Sequence, residues 1–253
     1  MKYVGREEFE WECELAQKAL QKYSSGKKYN NEVVQNVLRQ IYHGCCAYCE
    51  GKVEPTAYFE IEHYYPKKNK SHREYKQWVT EFKNLHYACP RCNRLKGNKD
   101  PKFYHILSPN YYFDNGGWVT KPNEIDSSLY YAGHKVFART GSLQGEGTIA
   151  VFKLNERQSL WIDRLRKYAE CYYLMNVIYG LLGKSSKEVK DLDSALQILF
   201  GQLVAYTNPD AAYSTMIVQN FGTEICKLMK VWQYKRNEKS ICEQFRKRIM
   251  GIA

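Results

Sequence analysis

The chain has 253 residues, enough for one to two domains, and its formal net charge of +11 is strongly basic. Hydrophobic residues make up 44% and charged residues 26% of the chain, which is typical of a globular protein and excludes a mostly disordered one. The longest apolar stretch, residues 171–183, is shorter than the roughly 20 residues that span a membrane, so no membrane segment is expected.

Nine cysteines occur in a chain whose N-terminus shows no apolar core of a secretory signal. We therefore expect a cytoplasmic location, where thiols stay reduced and paired cysteines hold metal ions more often than they form disulfides.

Two segments concentrate the positive charge. Residues 64–102 contain eleven basic and three acidic residues, and residues 227–248 contain eight basic and two acidic residues. Such segments suit a polyanionic partner, most simply nucleic acid. A solvated surface would also explain the second segment, whereas the first coincides with the cysteines and histidines described below.

Helical periodicity dominates both ends of the chain. Apolar residues recur every three or four positions in residues 6–23, and again from a cap at Asn30 or Asn31 to Gly44, so two helices are predicted there. Two long stripes in the C-terminal third predict two helices, Asp210 can cap a third helix that runs to about Tyr234, and a short basic helix is predicted after them. The first stripe is expected to face the core and comprises Trp161, Leu165, Tyr168, Tyr172, Met175, Tyr179 and Leu182.

The region between these helices loses the helical period. Asp114-Asn115-Gly116-Gly117, between two aromatic segments, predicts a hairpin. We therefore expect N-terminal helices in residues 1–44, a small module in 45–102, an irregular or hairpin connection in 103–154 and a helical region in 155–253. The predicted fold class is mainly α with a small α+β insert.

Two Cys-x2-Cys pairs frame the middle module, Cys46 with Cys49 and Cys89 with Cys92. Each pair can place two thiolates on one ion across a tight turn, and two pairs complete the tetrahedral sulfur coordination that suits zinc. Four protein ligands leave no open position, so a structural zinc site is predicted. Cys45 could replace Cys46, but the two-residue spacing favours Cys46.

Between the cysteine pairs lies Ile61-Glu62-His63-Tyr64-Tyr65-Pro66-Lys67, and Asn84 and Asn93 follow it. Phosphodiester hydrolysis needs an activated water, a cation on the developing charge and a stabilised leaving oxygen. His63 suits a general base, since the unperturbed imidazole pKa is about 6.5. Glu62 and Asn93 offer oxygen ligands to Mg2+ or Mn2+, and Mg2+ takes few protein ligands and keeps several waters.

Strand geometry limits how these side chains meet. Glu62 and His63 can share one site only if their strand ends or bends, because neighbours in a regular strand point to opposite faces. Pro66 makes such a bend credible, since it cannot continue a paired ladder. In a regular strand, Glu60 would share the face of Glu62 instead. His86 either reaches the same cleft or packs in the core.

The order of these residues resembles the HNH, or ββα-metal, nucleases. An acidic residue precedes His-x-x-Pro, an asparagine follows about twenty residues later, and a third histidine or asparagine lies nine residues beyond it. The resemblance covers residues 45–99 and implies a zinc-stapled ββα-metal module in which Asn84 braces the loop that presents His63. Two positions depart from the common pattern, because Glu62 stands where many members carry Asp and Asn93 where the family name expects His.

Four basic residues are the predicted nucleic-acid contacts, namely Lys67, Arg94, Lys96 and Lys99. The last three follow the second cysteine pair, where a short helix would face phosphates.

The wider arrangement resembles the PtuB nucleases of bacterial Septu and retron anti-phage systems. Ile-Glu-His-x-x-Pro-Lys is followed by Asn-Leu-x-x-Ala-Cys-x-x-Cys-Asn-x-x-Lys and a helical tail. This resemblance implies a metal-dependent endonuclease that acts with a PtuA-like ATPase in a hetero-oligomeric complex. The long aromatic stripes of residues 155–253 predict a helical platform that docks this partner, and a self-contained bundle without a partner is the alternative. DNA is the favoured substrate and RNA such as tRNA the alternative. A zinc-ribbon protein that binds nucleic acid without cutting it, or an adaptor, would not need Glu62, His63 or Asn93.

Overall fold

A computed structural model describes residues 1–22, 29–53, 58–68, 73–184 and 191–236 of the chain. The chain forms two units. The first comprises residues 1–130 and 136–160, and the second comprises residues 131–135 with the described residues from 161 onward. Among the described residues, no helix is both long enough and apolar enough to cross a membrane. The predicted short basic helix near the C-terminus lies outside the described residues.

Two packed helices open the first unit. A short 3-10 turn at Glu7–Phe9 leads into helix α1, Glu10–Gln21, and helix α2 spans Glu32–Ile41. Asn31 caps α2, because its side-chain oxygen accepts a hydrogen bond from the backbone N–H of Val34 at 3.0 Å. Both predicted N-terminal helices are confirmed. Their buried side chains are Ala16 and Leu20 on α1 and Val34, Val37, Leu38 and Ile41 on α2.

A two-stranded sheet and a short helix form the middle of the first unit. Strand β1, Glu60–His63, pairs antiparallel with strand β2, Leu85–Ala88, so that Glu62 lies opposite His86. Helix α3, Pro90–Lys96, follows β2 directly. Proline at the first helical position costs no hydrogen bond, because that N–H has no partner within a helix. Two 3-10 turns, Arg73–Trp78 and Phe82–Asn84, lie between the strands.

The predicted hairpin is present. Strands β3, Tyr111–Asp114, and β4, Gly117–Thr120, pair antiparallel across a two-residue turn. Asn115 and Gly116 both have positive φ, 46° and 83°. This is the conformation that a two-residue turn with Asn-Gly favours, because it matches the twist of the flanking strands.

A second hairpin, whose middle residues 131–135 belong to the second unit, and a tightly packed helix follow β4. Helix α4, Glu124–Ser128, precedes strands β5, Leu129–Ala132, and β6, Lys135–Ala138, which form a hairpin that the sequence did not predict. Helix α5 spans Leu143–Phe152. A Cβ atom at Gly147 would lie 2.2 Å from the carbonyl oxygen of Tyr104, so only glycine lets α5 approach this backbone.

Three long helices make up most of the second unit, as predicted. They are α6, Gln158–Leu182, α7, Leu192–Ala205, and α8, Ser214–Arg236. The fold class, mainly α with a small α+β insert, is confirmed. The predicted core stripe of α6 is wrong in part, because Tyr172 and Tyr179 are 56% and 46% exposed. The side chains that α6 buries are Leu160, Arg164, Cys171, Leu174, Met175, Ile178 and Leu182. The helix is apolar on more than one face, so two stripes fit its period.

Candidate functional site

The four predicted cysteines converge in space. The Sγ atoms of Cys46, Cys49, Cys89 and Cys92 all lie within 4.8 Å of one another, and those of Cys49 and Cys89 are 3.9 Å apart. Tetrahedral zinc with bonds of about 2.3 Å separates its sulfur ligands by about 3.8 Å, so the cluster has the dimensions and donor atoms that zinc requires. Cys45 does not belong to the cluster, and its backbone instead bridges to Lys52.

Backbone contacts hold the first cysteine pair against the sheet. The N–H of Cys46 donates to the carbonyl of Gly51 at 2.9 Å, and the N–H of Ala47 donates to the carbonyl of Tyr87 in β2 at 2.8 Å. In the second pair, Cys89 caps α3, since its Sγ accepts a hydrogen bond from the N–H of Cys92 at 3.4 Å. The cluster therefore connects the segment before β1 to the start of α3.

Arg157 is a residue of the cluster that the sequence reasoning missed. Its guanidinium Nη1 lies 3.1 Å from the Sγ of Cys92 and 3.4 Å from the carbonyl oxygen of Phe152. A zinc ion with four thiolates carries a net charge of −2, so the half-buried guanidinium beside one thiolate would offset part of that charge. The only sequence signal was an arginine directly before a long helix, which does not reveal a contact across 65 positions.

His63 ends strand β1 with its imidazole almost fully buried, at 5% exposure. Its Nε2 lies 3.0 Å from the carbonyl oxygen of Val79, so Nε2 donates and carries the proton, and Nδ1 keeps the lone pair. The ring of Tyr29 packs edge-on against it at 4.7 Å. Burial lowers the pKa of His63 to about 3, and nearby Lys67 and Lys96 act in the same direction. The imidazole is therefore neutral at pH 7.

The side chain of Asn84 is fully buried and contacts the start of the loop that follows His63. Its Oδ1 accepts from the N–H of Tyr65 at 2.8 Å, and its Nδ2 donates to the carbonyls of Tyr65 and Trp78 at 3.1 and 3.0 Å. One amide thus ties both backbone groups of a residue two positions beyond His63. These contacts are those that a bracing residue would make.

Glu62 is buried in an ion pair. Its Oε1 lies 2.8 Å from the Nζ of Lys96, its Oε2 accepts a hydrogen bond from the hydroxyl of Tyr48, and its side chain is 1% exposed. The same Lys96 ammonium donates to the backbone carbonyl of His63 at 2.7 Å. The prediction that Lys96 contacts phosphates is wrong, because its side chain is completely buried and directed into the module.

Asn93 was predicted to share a cation with Glu62, but its side chain contacts Glu60. Its Nδ2 donates to the Oε2 of Glu60 at 2.5 Å, near the surface. Strand β1 is paired with β2 as far as His63, which is its last residue. Glu60 and Glu62 contact α3, whereas the imidazole of His63 contacts Val79. The arrangement follows the alternation of a regular strand.

The remaining predicted nucleic-acid contacts are more accessible. Arg94 is exposed on α3, and Lys99 is partly exposed with its Nζ 2.7 Å from the carbonyl oxygen of Leu95. The Nζ of Lys67 donates to the hydroxyl of Tyr29 at 2.6 Å. Because the Tyr29 ring also packs on the imidazole, Lys67 carries a positive charge close to His63.

His86, the other histidine of the sheet, is a core residue. Its side chain is fully buried, and its Nδ1 lies 2.5 Å from the hydroxyl of Tyr42 and 3.4 Å from a guanidinium nitrogen of Arg6. Burial and the Arg6 charge lower its pKa well below the usual range. His86 was predicted either to reach the cleft or to pack in the core, and the structure shows it packed in the core.

Comparison with known proteins relates part of this chain to a known family. Residues 46–99 match the HNH endonuclease family. The chain is 28% identical to the Septu protein PtuB of Bacillus mycoides (strain KBAB4), over 85% of this chain and 83% of that protein. It is 31% identical to the Septu protein PtuB of Bacillus thuringiensis, over 61% of this chain and 52% of that protein. No solved structure matches the chain significantly. The ββα module at residues 46–99 is thus an HNH endonuclease domain.

Proposed function

We propose that the protein hydrolyses phosphodiester bonds of nucleic acid in a metal-dependent reaction with His63 as the general base. The observation that carries this proposal is the hydrogen bond from His63 Nε2 to the carbonyl of Val79 at 3.0 Å. It fixes the tautomer and leaves Nδ1 to take a proton from the attacking water. Because the pKa of His63 is lowered, the imidazole is already in the basic form at neutral pH.

Two metal sites with different tasks fit the residues of the HNH domain. Zinc on the four cysteines would be structural, since four protein ligands leave no position for water or substrate. The catalytic cation would be Mg2+ or Mn2+, held by the side chain of Asn93 and an acidic side chain of β1. When bound, it would stabilise negative charge on the phosphate and the leaving oxygen.

Nucleic acid is the proposed substrate because the basic residues surround the candidate site. Arg94 and Lys99 lie on or directly after α3, the helix that carries Asn93, and Lys67 lies beside His63. Phosphate contacts of this kind position a strand without reading its sequence. We propose DNA as the substrate, with RNA such as tRNA as the alternative. We propose a cytoplasmic location, because none of the cysteines in the described part of the chain is in a disulfide.

Incubating the full-length chain with duplex DNA and with total RNA tests this proposal. We expect cleavage of DNA in Mg2+ or Mn2+ and none after addition of EDTA, which removes the cation that stabilises the transition state. Gel electrophoresis of the products measures the cleavage. Nucleic-acid binding without cleavage, with or without the proposed partner, would favour a zinc-ribbon protein that binds but does not cut.

We further propose that the protein acts in a Septu anti-phage system with a PtuA-like ATPase. The similarity to two Septu proteins supports this assignment. The second unit supplies a surface for such a partner, since Tyr172 and Tyr173 on α6 are 56% and 71% exposed. Solvent-exposed aromatic side chains of this size are enriched in protein interfaces.

Co-expression with a PtuA-like ATPase tests the partner proposal. We expect the two proteins to co-elute in size-exclusion chromatography, and Tyr172→Glu/Tyr173→Glu to abolish co-elution because charge is placed in an apolar contact. Trp11→Glu is a matched control, since Trp11 is 68% exposed but lies on α1 in the first unit. Separate elution of the two wild-type proteins would remove the ATPase from the account.

A further inference from the structure

We infer that the turn after helix α3 binds unpaired bases of the DNA strand that the HNH domain would cut, an inference that rests on the proposed nuclease function. Residues 100–106 form this segment, the aromatic turn. It presents Phe103 and Tyr104, whose side chains are 76% and 41% exposed and whose ring centroids lie 5.1 Å apart. Exposure of single apolar side chains is common and defines no site by itself. The packing and the charge around these two rings indicate the ligand.

Helix α5 holds the aromatic turn in place. A Cβ atom at Gly147 would lie 2.2 Å from the carbonyl oxygen of Tyr104 and 2.6 Å from that of His105, so the backbone that carries the rings packs directly on the helix. Just after the turn, the N–H of Leu107 donates to the hydroxyl of Thr148 on α5 at 2.8 Å. A ring that is held in position before its ligand arrives loses little conformational entropy on binding, which favours affinity.

Positive charge surrounds the two rings. The Nζ of Lys99 lies 5.9 Å from the centroid of the Tyr104 ring, and Lys102 is exposed directly before Phe103. Asp100, the acidic residue of the turn, is buried, and its Oδ1 accepts a hydrogen bond from the N–H of Lys102 at 2.9 Å. Proteins that bind single strands combine these two features, because cationic side chains follow the phosphates while bases stack on aromatic rings.

The aromatic turn is connected to the candidate site. The hydroxyl of Tyr64, the residue after His63, donates to the carbonyl of Ile106 at 2.6 Å. On the other side, the Nζ of Lys99 lies 2.7 Å from the carbonyl oxygen of Leu95 on α3. A strand whose phosphates contact the basic side chains of α3 would therefore lie next to the two rings.

Stacking on Phe103 requires bases that are not paired within a duplex. In a duplex each base face is covered by the neighbouring base pairs, so a protein ring reaches a base face only where the strand is single or the base has been flipped out. A duplex would contact the basic side chains through its phosphates alone. The aromatic turn should therefore contribute to the binding of single strands and not to the binding of duplexes.

Fluorescence anisotropy of a labelled single-stranded DNA, and of the duplex of the same sequence, tests this inference with the zinc-loaded full-length chain and no added Mg2+ or Mn2+. We expect Phe103→Ala to weaken single-strand binding about fivefold to 100-fold, the usual effect of losing one stacked base. Duplex binding should change by less than about twofold, since phosphate contacts remain. Phe103→Trp keeps an aromatic face and should bind as the wild type does. Trp11→Ala is the matched control, because Trp11 is 68% exposed in the same unit but lies between Glu10 and Glu12.

A strand that carries abasic positions in place of its bases completes the test. We expect the wild type to bind it as weakly as Phe103→Ala binds the natural strand. Unchanged single-strand affinity in Phe103→Ala, or an equal loss for the duplex, would overturn the inference. A loss confined to an RNA strand of the same sequence would overturn the assignment to DNA, and a loss confined to co-elution with a PtuA-like ATPase would assign the turn to a protein interface instead. Because cleavage is not measured, a chain that binds strands through Phe103 but cuts neither DNA nor RNA would contradict the proposed function alone.

Discussion

Replacement of Cys49 by alanine is expected to leave the HNH domain without zinc and unfolded. The described residues of the domain form a two-stranded sheet of four-residue strands, two 3-10 turns and a seven-residue helix, and such a small sheet is marginally stable by itself. The apparent free energy of zinc binding in small zinc domains is about 10–16 kcal/mol, which matches or exceeds the 5–15 kcal/mol that stabilises a typical domain. Loss of one of four ligands therefore affects folding and not only metal content.

Elemental analysis and circular dichroism measure this outcome. We expect close to one zinc per wild-type chain, and in Cys49→Ala a loss of zinc together with a loss of cooperative thermal unfolding in the first unit. Cys45→Ala is the matched control, because Cys45 is a buried neighbour of the cluster that does not belong to it. It should keep its zinc. A folded wild-type chain without zinc, or a folded Cys49→Ala chain with a full zinc content, would contradict the structural zinc site.

The variant His63→Ala is expected to lose cleavage by about 100-fold to 10,000-fold, the usual contribution of a general base. Its zinc content and its affinity for DNA should stay near the wild-type values. The imidazole makes a hydrogen bond to Val79 and packs on Tyr29, but it belongs neither to the cysteine cluster nor to the exposed basic residues.

Single-turnover cleavage and an electrophoretic mobility shift assay separate these quantities. His134→Ala is a matched control, because His134 lies in the second unit on the β5–β6 hairpin and packs on Trp161. It should cleave as the wild type does. Full activity in His63→Ala would remove the base from the account, and a parallel loss of DNA binding would indicate a structural role instead.

Most of the features that could be predicted from the sequence depend on short local patterns. The Cys-x2-Cys spacing located the four-cysteine cluster, and Asn115-Gly116 located the first hairpin, because both depend on residues that are close in the chain. The family motif marked residues 46–99 in the same way. These features could be predicted because their geometry is set within a few residues.

Contacts between distant segments could not be predicted. Lys96 lies in a basic segment and was expected to meet phosphates, but its ammonium is directed inward by Glu62 and the carbonyl of His63. Arg157 lies 65 positions after Cys92 in the sequence, and its guanidinium contacts the Cys92 sulfur. On α6, a helix with apolar residues on several faces, periodicity alone does not decide which stripe is buried, and Tyr172 lies at the surface.

The pH dependence of cleavage tests most directly that neutral His63 is the base. Burial lowers the pKa of His63 to about 3, so the imidazole stays unprotonated throughout the range from pH 5.5 to pH 8. The ratio of the wild-type rate to the His63→Ala rate isolates this residue, because pH effects on metal and substrate are common to both proteins. We predict a ratio that is constant over this range in zinc-loaded samples. A ratio that falls about tenfold per pH unit below pH 6.5 would contradict the account, since it would show a base with the ordinary histidine pKa.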